Sequence, residues 1–517
     1  MSRVARATLI IAFFFALEKA LGFIRQVAIA RTFGLSAELD AFNVANNIPD
    51  LIFALISGGA LGIALIPVLS EFREEQGRAA LWELFSRIAN LFFLATAICS
   101  IIVAVLASQI VNWRLGVAPG FDAVQKALVV DLMRLDLIAT LFLSLGGLVI
   151  AGLQSNQHFL LPAMAPAMYD LGTLFGIFIL APQQGLQIGP VTLPAYGLGI
   201  YGLAYGTILG TVLFLLIQVP GLIRYQFRWK PIIGLHNPGV QKVLTLLGPR
   251  LVTVFFIQFT FLAQDNIASR LATGSVAALV YGWLFMQVPE TMIGTAIGTA
   301  LLPTLSEDIA NQRIEAYRSA MNQTIRVILA LTIPGAILLG LALPAVVSIL
   351  GFDAAGTDLV VRTSRAYLLG LVGHSLLEVA VRAFYSRQDA RTPMITAGVT
   401  TVVFILLVIP LGFRFGAPGI ALANSLAFTG QALLLLFLLN RKVGGLWQVG
   451  NTLLRVAAAT VLSAALMFLL LQAPLPGLPL AVGSLLLAGC LVIPFIWPEL
   501  RLLIRLGGTP KPSQALP

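Results

Sequence analysis

The sequence predicts an all-α integral membrane protein of about fourteen transmembrane helices, built as two six-helix lobes in parallel repeat plus a C-terminal helix pair. Three observations carry that prediction. The 517 residues are 58% hydrophobic and only 10% charged, with mean hydropathy +0.94, whereas a soluble domain carries roughly 25% charged residues. Apolar runs of roughly 20 residues, the length a helix needs to span, recur along the whole chain. Lys and Arg gather at alternate ends of those runs: 21 fall at one set of ends and 6 at the other. By the positive-inside rule both termini are cytoplasmic, which requires an even number of spans. The net charge of +10 follows from these basic loops. No basic run is interleaved with aromatics, so nucleic acid is not an expected partner.

Only helices or closed barrels satisfy their backbone in lipid, and these runs are too long for barrel strands. The first span, 7–32, follows Arg3 and Arg6. Its apolar run outlasts a signal peptide and lacks a clear cleavage site, so it reads as an uncleaved helix. The second, 38–68, holds Asp40 and Asp50 and is broken by Pro49. Spans follow at 84–111, 128–153, 158–181 and 195–220. The seventh, 240–266, holds Arg250 and Asp265; the eighth, 274–303, has Glu290 after Pro289. The ninth is 322–350. The tenth, 359–383, carries Glu378 and Arg382, and 392–413 and 416–439 complete the second set. The final pair is 450–472 and 477–497. The expected domains are therefore an N-terminal lobe over 1–232, a C-terminal lobe over 233–442, the helix pair over 443–500 and a basic cytoplasmic tail over 501–517.

The duplication is visible in the letters. GIALIPVLSE at 62–71 returns as GTALLPTLSE at 298–307. QSNQHFLLP at 154–162 returns as YSRQDARTP at 385–393, with Ser, Gln and Pro in register, and YGLAYGT at 201–207 meets PGIALAN at 418–424. Equivalent points stand six spans apart, so the halves share one orientation. Transporters with parallel repeats place their site between the lobes and work by alternating access.

Enzymatic motifs are lacking. GLGIYG at 197–202 matches a dinucleotide pattern literally, but no strand precedes it and its glycines lie in an apolar span, where small residues serve helix packing. His158, His236 and His374 stand far apart, and Cys99 and Cys490 sit singly in apolar runs. There is no Walker loop, zincin motif or nucleophile elbow, so neither an enzyme, a metal nor an organic cofactor is expected.

The chemistry lies in the intramembrane charges. An ionised group at the bilayer centre costs about 2.5–3.5 kcal/mol on insertion scales and marks a binding site by default. The first span carries Glu18, Lys19, Arg25 and Arg31. Glu18 and Arg25 share a face, and Lys19 lies about 100° around from Glu18; a bend at Gly22 would bring Lys19 toward Arg25. Two readings stand for Lys19 and Arg25: contact with an anionic substrate, or structural pairing with Glu18 or Asp40. Arg31 reads either as a third anion contact or as an interfacial residue whose stem lies in lipid. Asp265 is either a coupling-ion ligand or the partner of a nearby Arg, and Glu290 is a second candidate for ion coupling. The run Ser386 to Asp389 reads as a helix cap and turn before Pro393.

LGFIRQVAIARTFG at 21–34, DAFNVANNIPDLI at 40–52, GALGIALIPVLSE at 59–71, GTALLPTLS at 298–306 and FYSRQDARTP at 384–393 together resemble the MurJ (MviN) family of lipid II flippases. That family sits in the superfamily of multidrug, oligosaccharidyl-lipid and polysaccharide exporters. The resemblance runs through nearly the whole chain. It implies two six-helix lobes around a central cavity, a final pair beside a lipid groove, and lipid II, an undecaprenyl-pyrophosphate-linked peptidoglycan precursor, as substrate. The family's first-span cavity cations fall on Lys19, conservatively changed from Arg, and on Arg25, and its second-span acid falls on Asp40. Two further cavity arginines fall on Phe53 and on Leu284, so the basic set is half filled; Arg250 and Arg270 are candidate replacements. The implied substrate-binding set is Lys19, Arg25, Arg31 and Asp40, with Asp265 and Glu290 for coupling to Na+, H+ or the membrane potential. The implied partners are lipid II, membrane lipids and cell-wall synthesis proteins. The rival readings are a flippase for another lipid-linked oligosaccharide, a cation-coupled drug exporter of the same fold, and a scaffold for envelope assembly.

Overall fold

A helix occupies each of the predicted spans. The computed structural model describes residues 3–56, 59–185, 187–188, 190–473 and 477–507. By contact the chain divides into two compact units, Met1–Ala277 and Ala278–Pro517.

Unit 1 opens with α1 (Arg3–Phe33), α2 (Ala37–Ile56), α3 (Gly59–Asn112) and α4 (Ala123–Ser155). Next come α5 (Leu160–Phe175), continued by a π-helical turn over Gly176–Leu180, then α6 (Ile200–Leu216), α7 (Val219–Arg224) and α8 (Pro238–Ala268). A ribbon of two-residue strands, β1 (Gln187–Ile188) and β2 (Val191–Thr192), precedes α6 with Gln187 opposite Thr192. The expected second span is realised as α2 and the start of α3. α3 itself is two helices, because Gly77 at φ 84° and ψ 177° breaks the ladder.

α9 (Ser275–Glu290) begins at the end of unit 1 and continues through a π turn, Thr291–Thr295, into α10 (Ala296–Ala310). Unit 2 then holds α11 (Ile314–Val347), α12 (Ala354–Leu368), α13 (Leu371–Tyr385), α14 (Arg391–Phe415), α15 (Ala417–Val443), α16 (Thr452–Leu470) and α17 (Gly477–Gly507). The tenth span is the pair α12 and α13, bent by 42°. Among the described residues eleven helices are long and apolar enough to cross a membrane, or twelve if that bent pair counts as one span. α1 and α2, which carry the first-span charges, Asp40 and Asp50, are not in that set.

In unit 1, Leu81, Phe85, Ile88 and Phe92 recur every three or four residues along one face of α3. They pack on Leu148 and Leu153 of α4 and on Val240, Val243 and Leu247 of α8. Because α8 packs on α2 and α3 it belongs to unit 1 by contact, whereas the sequence duplication begins its second copy at 233. Close packing of α5 on α6 uses glycine: a Cβ on Gly172 would lie 2.3 Å from the Gly210 backbone, and one on Gly202 2.5 Å from Ala181 N. The GLGIYG glycines therefore divide their tasks. Gly202 serves packing, while Gly197 and Gly199, at φ 70° and 55°, turn the chain into α6.

In unit 2 one face of α11, with Tyr317, Met321, Ile325 and Ile328, packs on Val379 and Ala383 of α13 and on Leu435 and Leu439 of α15. The Tyr317 hydroxyl donates to Ala383 O at 2.8 Å. Farther along, Ala330 and Leu338 meet Val456 and Met467 of α16 and Val492 and Ile496 of α17. Polar contacts fix this last pair: Glu499, 1% exposed, accepts from Arg455 at 2.6 Å, Thr452 at 2.7 Å and Arg326 at 3.2 Å.

The repeat survives at atomic detail. Gln157 and Gln388 stand in register in the sequence, and both take a left-handed backbone, at φ 63° and 58°. After α4, His158 N donates to Leu153 O at 3.0 Å; after α13, Asp389 N donates to Phe384 O at 3.0 Å. Both are the closing bond of a Schellman-type helix end.

Candidate functional site

The site is built on the face of α1 that meets α5. Arg25 Nη1 lies 2.8 Å from Asp170 Oδ1, with the arginine side chain 21% exposed and the aspartate 4%. The guanidinium also sits over the Tyr169 ring, 5.1 Å from its centroid, a cation–π contact. Gly22 lies at this contact: a Cβ there would stand at ordinary van der Waals distance, 3.7 Å, from Asp170 Oδ2. α1 is one continuous helix past Gly22. Lys19 is 80% exposed and its Nζ lies 3.3 Å from Glu18. The charges of Glu18 and Lys19 both reach Asp170. The structure thus gathers Glu18, Lys19, Arg25, Tyr169 and Asp170. Tyr169 is also in electrostatic range of Asp50 on α2 and Asp136 on α4.

A guanidinium held by one carboxylate can exchange it for a phosphate. Arg offers a planar fork that suits both anions and often binds them in bidentate fashion. Lys19, open and six residues before Arg25, adds a flexible point charge. This arrangement can capture an anionic headgroup.

The other predicted residues go elsewhere. Arg31 is exposed and stands in the last turn of α1, where a cation suits the helix dipole. Asp40, expected among the substrate contacts, is 1% exposed and serves as an anchor: its oxygens accept from Gly274 N at 2.6 Å and Ala277 N at 2.8 Å. Those amides open α9, where a carboxylate satisfies donors that lack an intrahelical partner. Asp265 is 7% exposed and accepts from Asn47 Nδ2 at 2.6 Å, so an amide on α2 stands where one of the two readings placed an Arg. Glu290 lies in unit 2 at the π turn, a feature frequent at functional sites. It accepts from Thr295 at 3.2 Å and Thr291 at 3.4 Å. Glu378 and Arg382 of α13 lie in range of it and pair with each other. Arg382 also donates to Glu378 O at 2.9 Å and to Thr299 at 3.3 Å.

Phe53 and Leu284 are half-buried and supply no charge. Arg270 is committed to Arg114 O at 2.9 Å and Asn266 Oδ1 at 3.2 Å; the side chain of Arg250 lies outside the described residues. Among the described residues no three His, Cys, Asp or Glu side chains are grouped so that they could hold a metal ion. Asp170 and Asp136 escaped the sequence reading. The signal was present, since each is an ionisable residue inside a predicted span.

The comparisons follow this geometry. The family model described as "Lipid II flippase MurJ" matches residues 29–487. The chain is 32% identical over 478 residues to the lipid II flippase MurJ of Burkholderia cenocepacia, covering 89% of this chain and 88% of that one. It is 28% identical to a probable lipid II flippase MurJ of Vibrio cholerae, over 84% and 82% of the two chains. Among solved structures it is similar to a lipid II flippase MurJ in an inward closed conformation, at TM-score 0.79 and 22% identity, covering 96% of this chain and 100% of that one. It is also similar to an inward-facing multidrug resistance MATE family transporter at TM-score 0.66 and 13% identity, covering 83% and 94%; these two share the fold. A match over most of the chain, together with a relative above 30% identity, places it: the chain belongs to the MurJ family of lipid II flippases.

Proposed function

We propose that this membrane protein carries lipid II, the polyprenyl-pyrophosphate-linked peptidoglycan precursor, across the cytoplasmic membrane by alternating access. Both termini are cytoplasmic in this reading. The observation that carries it is the family match over residues 29–487. The physical task suits the chain, since a pyrophosphate and sugar headgroup cannot cross hydrocarbon unaided. Arg25 and Lys19 receive the pyrophosphate, and Asp170 holds Arg25 in place between turnovers. Asp40 contributes by fixing the start of α9. Coupling is to an ion gradient or the membrane potential, with Asp265 and Glu290 as candidate groups. The cations on α1 weigh against a cationic-drug exporter.

The test is complementation. Cells depleted of their own lipid II flippase should grow when they express this chain. They should fail to grow on Arg25→Ala, although that variant reaches the membrane. Failure of the unaltered, membrane-inserted chain to restore growth would overturn lipid II as the substrate.

A further inference from the structure

Anion capture at α1 leaves one buried group of unit 1 without a task. Asp136 stands near the middle of α4 and is 3% exposed. Neither of its carboxylate oxygens has a hydrogen-bond partner among the described residues. From α2, Asp50 comes close enough for the two charges to interact. From α5, Tyr169 is in range of both. α3 and α6 also pack on α4 but bring no charged group into range of Asp136. On α4 itself Arg134 turns away, donating to Ala104 O at 3.1 Å and lying 3.9 Å from Asp131. Among the described residues no cation comes into range of Asp136. An enclosed carboxylate with neither donor nor cation neutralises itself by taking a proton, and a second carboxylate nearby adds to that demand.

We propose that Asp136 and Asp50 form a proton-binding site in unit 1: Asp136 holds the proton, and Asp50, which keeps open surface, passes it to and from water. The step makes one O–H bond on Asp136 and breaks one on Asp50, which is reprotonated by water. Tyr169 lies in range of Asp50, Asp136, Arg25 and Asp170 together, so the charge of the pair is felt at the guanidinium. With the proton bound, less negative charge surrounds Arg25, and an incoming anion competes better with Asp170. By linkage, the proton and the anion strengthen each other's binding. The coupling rests on the flippase reading, whereas the proton site does not.

The two parts separate in one set of experiments on the full chain in lipid. Infrared spectra at neutral pH should show a protonated carboxyl band that Asp136→Asn removes and Asp50→Asn retains. In the wild type the band should persist after the exposed carboxylates have ionised. A wild-type spectrum without that band, or one that Asp136→Asn leaves unchanged, overturns the site. In proteoliposomes one coupled proton shifts the accumulation ratio of lipid II about tenfold per pH unit across the membrane. Asp136→Asn should abolish that response while translocation continues. A response undiminished in Asp136→Asn overturns the coupling and leaves the site to the spectra. If lipid II is not moved at all, the flippase reading falls and the spectra still decide the proton site.

Discussion

Arg25 and Asp170 form a pair whose two members have different fates on mutation. Removing one partner of a buried ion pair costs about 3–5 kcal/mol, because the other charge is left uncompensated. Arg25→Ala should therefore lower thermal stability as well as transport. The double change Arg25→Ala with Asp170→Asn should recover most of the stability and none of the transport. Recovery of both would make the pair structural only, and a melting curve beside a transport assay separates the cases. Asp389 offers a pH-dependent test outside the membrane. It sits in the turn before α14 and is held by Lys442 Nζ at 2.6 Å and by the Thr392 hydroxyl and amide at 2.8 and 3.0 Å. Burial works to raise its pKa, but Lys442 and Thr392 together outweigh it and bring it to about 2. A depressed carboxylate stabilises the fold above its unfolded value, and that contribution is lost as pH falls from about 4 through about 2. The stability difference between wild type and Asp389→Asn should hold at neutral pH and close over that window. A difference independent of pH would mean that its charge does no such work. At this scale the sequence was half legible. Arg25 stood out as a charge in a span, but its partner was sought among Glu18 and Asp40 on the same or the next helix. Nothing local reports that α5 crosses α1 at Gly22. The partners of Asp40 were hidden for the same reason, since they are the amides at the start of α9.

At the scale of elements, hydropathy reveals the spans but not their breaks. α11 and α15 could be placed from their apolar runs alone. The π turns at Gly176–Leu180 and Thr291–Thr295 and the bend between α12 and α13 could not, because each is a backbone adjustment inside an apolar run. Gln157 and Gln388 were legible as a repeat; that both take the left-handed position closing a helix was not, since Gly is the usual residue there. The C-terminal pair is held to α11 by Glu499 with Arg326 and Arg455. Glu499→Ala leaves both arginines without that acid, and the loss should be about 3–5 kcal/mol. Differential scanning of the purified protein should show a marked fall in melting temperature. An unchanged midpoint would mean that apolar packing of α16 and α17 on α11 suffices.

For the whole molecule, the fold class was legible because composition, span length and internal duplication are global properties that no single side chain can overturn. The orientation rests on the 21-to-6 distribution of Lys and Arg. Single cysteines placed in 72–83 or 224–240 should resist impermeant thiol reagents in intact cells, and ready labelling would invert the topology. The substrate was legible only through family likeness. Phe53 and Leu284 stand where that likeness led us to expect arginines, so the proposed anion site has fewer cations, with Arg25 foremost. The most direct measurement follows the headgroup. Purified protein in proteoliposomes, given lipid II on one face, should make its headgroup accessible on the other, and Arg25→Ala inserted to the same level should not. Translocation by both proteins at equal rates would contradict the role of Arg25, and translocation by neither would contradict the assignment of lipid II.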